Sequence, residues 1–191
     1  MIIEKVDHEK FKPFVELFAE LKRELGNVSY KYWIAGGALT SHVSGIQIND
    51  YDLYSNNPTE LIRDITLISG TPTQINEFSF EFDFNGKLLQ ITNYPYRDPI
   101  HTLQNFDFNI CCVSFDGANI YRSEDFWNDI HNKEIRFRKN NRHSFHAYLR
   151  MIKYSRRGFS PTHETILRVG KDLCSGNYDW DKITTQHLKD Y

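Results

Sequence analysis

The stretch Trp33–Ser55, WIAGGALTSHVSGIQINDYDLYS, restricts the possible folds more than any other part of the chain. The apolar run Tyr30–Ala35 reads as a strand, Gly36-Gly37 as a tight turn, Ala38–Val43 as a short helix and Asp50–Tyr54 as a second strand. On that strand Asp50 and Asp52 leave one face, while Tyr51 and Leu53 leave the other. Carboxylates roughly 6–7 Å apart repel each other in apolar surroundings unless water or a cation lies between them. Hard divalent cations such as Mg²⁺ take oxygen ligands from a few carboxylates and complete their shell with water and substrate phosphate. A polar strand end is the plain alternative for an isolated Asp-x-Asp. An EF-hand loop is excluded, because Ser55 and Leu61 stand where its Gly and Glu would be required. Glycines between a strand and a helix admit a phosphate to the backbone and to the N–H groups at the helix N-terminus. The combination sets a phosphate cradle beside a metal platform.

A third carboxylate, Asp107, lies in FDFNICCVSF, which reads as a later strand with Phe106, Phe108 and Ile110 on the opposite face and Asn109 beside the acid. Asp83 competes for that role, but it adjoins the Asn85-Gly86 turn of the hairpin FSFEFDF-NG-KLLQITN, where an acid needs no other reason. The remaining pattern gives a helix over Pro13–Leu25 stopped by Gly26, and a helix capped by Asn57 with Pro58 at its first position. It continues with a turn at Asp116-Gly117, a helix over Ser123–His131, a strand over Ile135–Arg138, a helix over Ser144–Arg157, and a last helix opened by Ser160-Pro161.

Charge is distributed unevenly. Eight Lys and Arg and no acid lie between Ile135 and His163, leaving 15 Lys and Arg against 25 Asp and Glu elsewhere. A basic segment in an acidic chain suits a locally held anion. On the helix over Ser144–Arg157, Phe145, Leu149 and Ile152 form an apolar stripe. His146, Arg150, Lys153 and Arg157 form a second stripe roughly 100° away, and Arg142 stands at the helix entry. That stripe suits a triphosphate, a nucleic-acid backbone or a solvated face. Arginine is the better guess for bidentate phosphate contact.

Other classes are disfavoured. His163-Glu164 lacks the second His of a metalloprotease helix, and no zinc spacing, Walker A lysine or nucleophile-elbow serine is present. The N-terminus is too charged for a signal peptide, and no apolar run approaches the roughly 20 residues of a membrane helix. Three cysteines, with Cys111 and Cys112 adjacent and no CxxC, fit reduced thiols in a cytoplasmic protein.

The segment GGALTSHVSGIQINDYDLYS resembles the GG…DxD signature of the nucleotidyltransferase superfamily, which includes DNA polymerase β, poly(A) polymerases and tRNA nucleotidyltransferases. FDFNICCVSF is similar to its third-aspartate strand. The order of motifs over Tyr30–Phe159, ending in LRMIKYSRRGF, is similar to small stand-alone members associated with phage genomes. The resemblance implies an α+β fold with a mixed β-sheet flanked by helices, a catalytic core over residues 1–140, and a C-terminal helical segment over 141–191 packed on it. It implies that Asp50, Asp52 and Asp107 bind two Mg²⁺ ions, with Asp107 helping to deprotonate an acceptor hydroxyl. Gly36 and Gly37 would hold the triphosphate of an NTP, joined by Ser41, Arg142, Arg150, Lys153 and Arg157. NMP would pass to an acceptor (an RNA end, a protein or a small molecule) with release of pyrophosphate, in the cytoplasm of a host cell if the chain is viral. Ala38-Leu39-Thr40-Ser41 stands where tRNA enzymes often carry Val-Arg-Asp, and the chain lacks their long C-terminal RNA-binding region, so it departs from the CCA-adding pattern. The alternative expectation is a fold without catalysis that serves as a nucleotide- or RNA-binding or virion-associated module.

Overall fold

In the computed structural model, which describes residues 1–138 and 144–175, the chain divides into two compact units. One comprises Met1–Gln104 and Cys111–Glu124; the other takes Asn105–Ile110 and the chain from Asp125 onward.

The first unit is built on a sheet of strands β1 (Ile2–Lys5), β2 (Tyr32–Ala35), β3 (Tyr51–Ser55), β4 (Gln74–Ile75), β5 (Ser79–Phe84), β6 (Lys87–Thr92), β7 (Val113–Phe115) and β8 (Asn119–Arg122). Their spatial order is β1-β8-β7-β2-β3-β6-β5-β4, antiparallel throughout except for the parallel pair β3 and β6, so the sheet is mixed. Helix α1 (Lys12–Leu25) buries Phe14, Leu17 and Leu21 completely and stops at Gly26. It covers one face of the sheet: the Phe14 ring lies 5.6 Å from Tyr51, Phe18 lies 5.0 Å from Phe115, and Lys87 Nζ is 2.8 Å from Glu20. Helix α2 (Gly37–Val43) follows the glycine pair. Helix α3 (Pro58–Ser69) is capped by Asn57, whose side chain accepts from the Glu60 N–H at 3.3 Å. Helix α4 (Pro99–Leu103) lies on the other face, where Trp33 Nε1–H donates to Thr102 Oγ1 at 3.0 Å.

Asn85-Gly86 makes the hairpin turn with both φ positive, 53° and 75°. Asp83 accepts there from the Gly86 N–H at 2.7 Å, which accounts for that acid locally. Gly117 turns β7 into β8 at φ +94°, and a Cβ built on it would stand 2.7 Å from Phe18 Cδ1. Gly117→Ala is expected to destabilise the chain by about 1–3 kcal/mol through backbone strain and the displaced ring; chemical unfolding of the variant measures it.

The second unit contains α5 (Phe126–Asn132), β9 (Glu134–Ile135), α6 (Ser144–Arg156), β10 (Ser160–Pro161) and α7 (His163–Ser175). Ser160-Pro161 does not open the last helix as expected; it pairs in parallel with β9, and Thr162 Oγ1 caps α7 by accepting the Thr165 N–H at 3.3 Å. The expected single strand FDFNICCVSF is also corrected. Only Val113–Phe115 is a strand, and Asn109–Cys111 is a 3₁₀ turn. The segment before it pairs with residues 136–138 instead: Asn109 N–H donates to Arg136 O at 3.0 Å, and Arg138 N–H to Asp107 O at 2.7 Å. Phe106, Phe108 and Ile110 therefore do not share one strand face. Among the described residues no helix is long and apolar enough to cross a membrane.

Candidate active site

At the end of β2, Gly36 adopts φ 85°, ψ −131°, a conformation open to glycine and strained for other residues. Its N–H donates to Val113 O at 2.9 Å, and its carbonyl accepts the Thr40 N–H at 3.2 Å, so the turn is tied to β7 and to the first turn of α2. The register Ile34↔Leu53 sets this turn beside the start of β3. Asp50 immediately precedes β3 and Asp52 lies within it; both are half-buried, whereas Leu53 is fully buried on the face covered by α1. Tyr51 packs against Phe14 on that covered face, and burial, then the neighbouring Glu20, raise its hydroxyl pKa. Asp52 thus lies on the opposite face, the one that α4 covers. Ser41 is buried within α2, at 3% exposure.

Two further residues join that face and are not evident from the sequence. Asp52 stands level with Gln90 on β6, and Gln90 with Glu81 on β5. Gln90 Nε2 donates to Glu81 Oε1 at 3.0 Å. An acid–amide–acid row, Asp52, Gln90 and Glu81, thus runs across three strands. The alternation in FSFEFDF and KLLQIT was a usable signal for Glu81 and Gln90. Joining them to Asp52 also needed the parallel β3–β6 pairing, which links segments distant in sequence.

Asp107 lies in the second unit with only 6% of its side chain exposed, and it meets Arg150 of α6: Nε at 2.6 Å and Nη2 at 2.5 Å from the same Oδ2. Arg150 is 35% exposed. The structure therefore pairs Asp107 with Arg150, and Asp50 and Asp52 stand at and just inside the start of β3. Lys153 is half-buried on α6, and Arg157 follows the helix with its guanidinium 5.8 Å from the Tyr154 ring. The stripe is not a plain solvated face. Arg142 lies outside the described residues.

The same unit holds a groove of about 860 Å³ around the start of α7, with Arg136, Arg138, Arg168 and Lys171 among its lining residues. Arg136 is fixed by Asp129 at 2.9 Å and Glu134 at 2.6 Å, and the Arg168 guanidinium lies 6.0 Å from the Phe137 ring.

Within either unit, no three described His, Cys, Asp or Glu side chains gather as a ready-made metal cage. Mg²⁺ does not require one. It is commonly held by one or two carboxylates, with water and substrate phosphates completing its shell, so the half-buried pair Asp50 and Asp52 has suitable donor chemistry.

A mixed sheet flanked by helices, with the glycine turn leading to paired aspartates, is the nucleotidyltransferase-like fold. The Thermotoga maritima CCA-adding enzyme complexed with tRNA superposes on the whole chain with a TM-score of 0.68 at 17% identity, and CCA-adding enzyme complexes with CTP and with ATP do so with TM-scores of 0.72 at 18% and 17% identity. In each case the chain spans 50% of the length of the solved enzyme. Residues 6–133 match the family described as Gabija anti-defense 2 family protein (Gad2), and the chain belongs to that family. No curated protein sequence matches it.

Proposed function

We propose that the chain is a Mg²⁺-dependent nucleotidyltransferase that moves NMP from an NTP to an acceptor hydroxyl and releases pyrophosphate. We further propose that it acts against the Gabija defence in the cytoplasm of a phage-infected host. The observation that supports this reading is the β2–Gly36-Gly37–α2–β3 order, in which a positive-φ glycine turn is followed by Asp50 and Asp52 at the start of β3. Gly36 and Gly37 admit the triphosphate, and Asp50 and Asp52 hold the metal. Asp107 keeps the role of accepting the acceptor's proton, while Arg150, Lys153 and Arg157 serve the β- and γ-phosphates. Bound Mg²⁺ would supply charge neutralisation at the phosphates and the leaving pyrophosphate.

The test is incubation with each labelled NTP and Mg²⁺ plus host RNA and protein, following label transfer and pyrophosphate release. Transfer that persists unchanged in Asp50→Asn and Asp52→Asn would overturn the assignment. The cationic groove near α7 supports RNA as an acceptor. On that reading Lys171→Glu lowers affinity for a short RNA and reduces the salt slope by about one unit or more, without changing NTP affinity; anisotropy titrations at several salt concentrations measure it.

The Asp107–Arg150 ion pair favours a second reading, because it already neutralises the proposed third acid. In that reading the fold binds nucleotide or RNA without transferring it, and wild type shows binding but no label transfer.

A further inference from the structure

The sheet face that carries Asp52 continues to Tyr54, the next same-face position on β3. The Tyr54 ring lies 5.4 Å from Tyr96 at 79°, Tyr94 lies 5.1 Å from Tyr96 at 71°, and His101 of α4 lies 5.6 Å from Tyr96. The cluster is held in place from several sides. Tyr96 N–H donates to Ser55 O at 3.0 Å, which ties the segment to the end of β3. Pro95 restricts the backbone between the two tyrosines and keeps Tyr94 extended. Asp98 caps α4 through the His101 N–H at 2.7 Å. Tyr96 is half-buried and its hydroxyl pKa is raised, first by burial and then by Tyr94. Tyr94 is 57% exposed, more than a ring recruited only for packing would be.

Same-face neighbours on a strand lie roughly 6–7 Å apart. Tyr54 stands one such step from Asp52 and the Tyr96 ring one ring contact beyond it, a span that a nucleotide covers from its phosphates through the ribose to its base. Exposed aromatic rings beside an anion-binding element are the usual platform for stacking bases, and stacking tolerates any base because each has a π-face.

We propose that Tyr94 and Tyr96, backed by Tyr54, form a stacking site for the nucleobase of a nucleotide whose phosphate lies at Gly36-Gly37 and Asp50–Asp52. The site rests on the nucleotide reading of that sheet face and adds the part of the ligand the carboxylates do not reach. It makes the face selective for nucleotides over inorganic polyphosphates, with little preference among bases.

Calorimetric titration of the full chain with ATP, tripolyphosphate and a tetranucleotide bearing a free 3′ hydroxyl, all in Mg²⁺, tests it. Wild type is expected to bind ATP at least about fivefold more tightly than tripolyphosphate, the smaller end of the gain from stacking one base. Tyr94→Ala and Tyr96→Ala should each remove much of that preference while leaving tripolyphosphate affinity unchanged, and Tyr96→Phe should keep it. Weakening of the tetranucleotide alone by the two alanine variants overturns the proposal, because the platform would then hold an acceptor base and not that of the nucleotide. Affinity for both ATP and tetranucleotide unchanged in the alanine variants overturns the proposal while leaving the phosphate site standing. Failure of wild type to bind either ATP or tripolyphosphate overturns the nucleotide reading and the platform with it. Tyr94→Ala, at an exposed position, keeps the test independent of any folding defect at Tyr96.

Discussion

Asp52→Asn is expected to reduce nucleotidyl transfer by roughly a thousandfold or more, since a metal-bound carboxylate underlies several kcal/mol of transition-state charge stabilisation. The fold should survive. Asp52 is half-buried on β3, two residues after Asp50, and Glu81 lies in the same row across Gln90. Neutralising one acid relieves repulsion and leaves the buried face of β3, with Leu53 at its centre, unchanged. The melting temperature should therefore stay within about 3 °C of wild type or rise. Pyrophosphate release and thermal unfolding, measured on the same preparation, check both halves. Full transfer would remove Asp52 from the chemistry, and a fall of many degrees would make it a structural residue.

Arg150→Ala should have the largest effect on stability among the site variants, about 2–3 kcal/mol. Breaking a buried ion pair from one side costs roughly 3–5 kcal/mol because a charge is left buried without its partner. Asp107 meets that description with a side chain 6% exposed. Arg150 is 35% exposed, so water can replace part of what is lost and the lower figure applies. Removing both charges with Asp107→Leu and Arg150→Met should cost less than Arg150→Ala alone, since neither charge remains unpaired. Urea unfolding of wild type and the two variants decides this; equal stability of Arg150→Ala and wild type would mean that the pair contributes nothing. If the triphosphate also uses Arg150, it competes with Asp107, so Asp107→Asn should tighten NTP binding. Arg150→Ala should weaken that binding by roughly 1–3 kcal/mol and leave NMP unchanged.

The chain's local chemistry was readable wherever one residue type decides the backbone. Gly36 takes the positive φ that the strand–turn–helix pattern demands, Asn85-Gly86 closes the hairpin, and Asn57 caps α3. Asp52 faces away from Tyr51 and Leu53 because strand periodicity requires it. What escaped sequence reasoning depends on partners that periodicity does not encode. FDFNICCVSF is uniformly rich in apolar residues, so nothing in its pattern marks the point where Asn105–Ile110 leaves the sheet to pair with residues 136–138. Ser160-Pro161 carries a helix-start signal, yet pairing with β9 overrides it. Ile2–Lys5 alternates too briefly to stand out, and its strand character comes from pairing with β8. Glu81 and Gln90 reach Asp52 only through a register between nonconsecutive strands.

The excursion of Asn105–Ile110 also bears on how the chain is made. During vectorial synthesis, β2 through β6 can pair as they leave the ribosome, but this hexapeptide emerges before the segment that completes its hydrogen bonds. Its buried Phe108 and Ile110 must wait, unsheltered, until residues beyond Arg136 arrive. Meanwhile β7 and β8 can already return to the sheet. The second unit therefore cannot mature before the first has largely been assembled, and a nascent chain halted after Glu124 would carry an orphaned apolar loop of the kind that recruits chaperones or proteases.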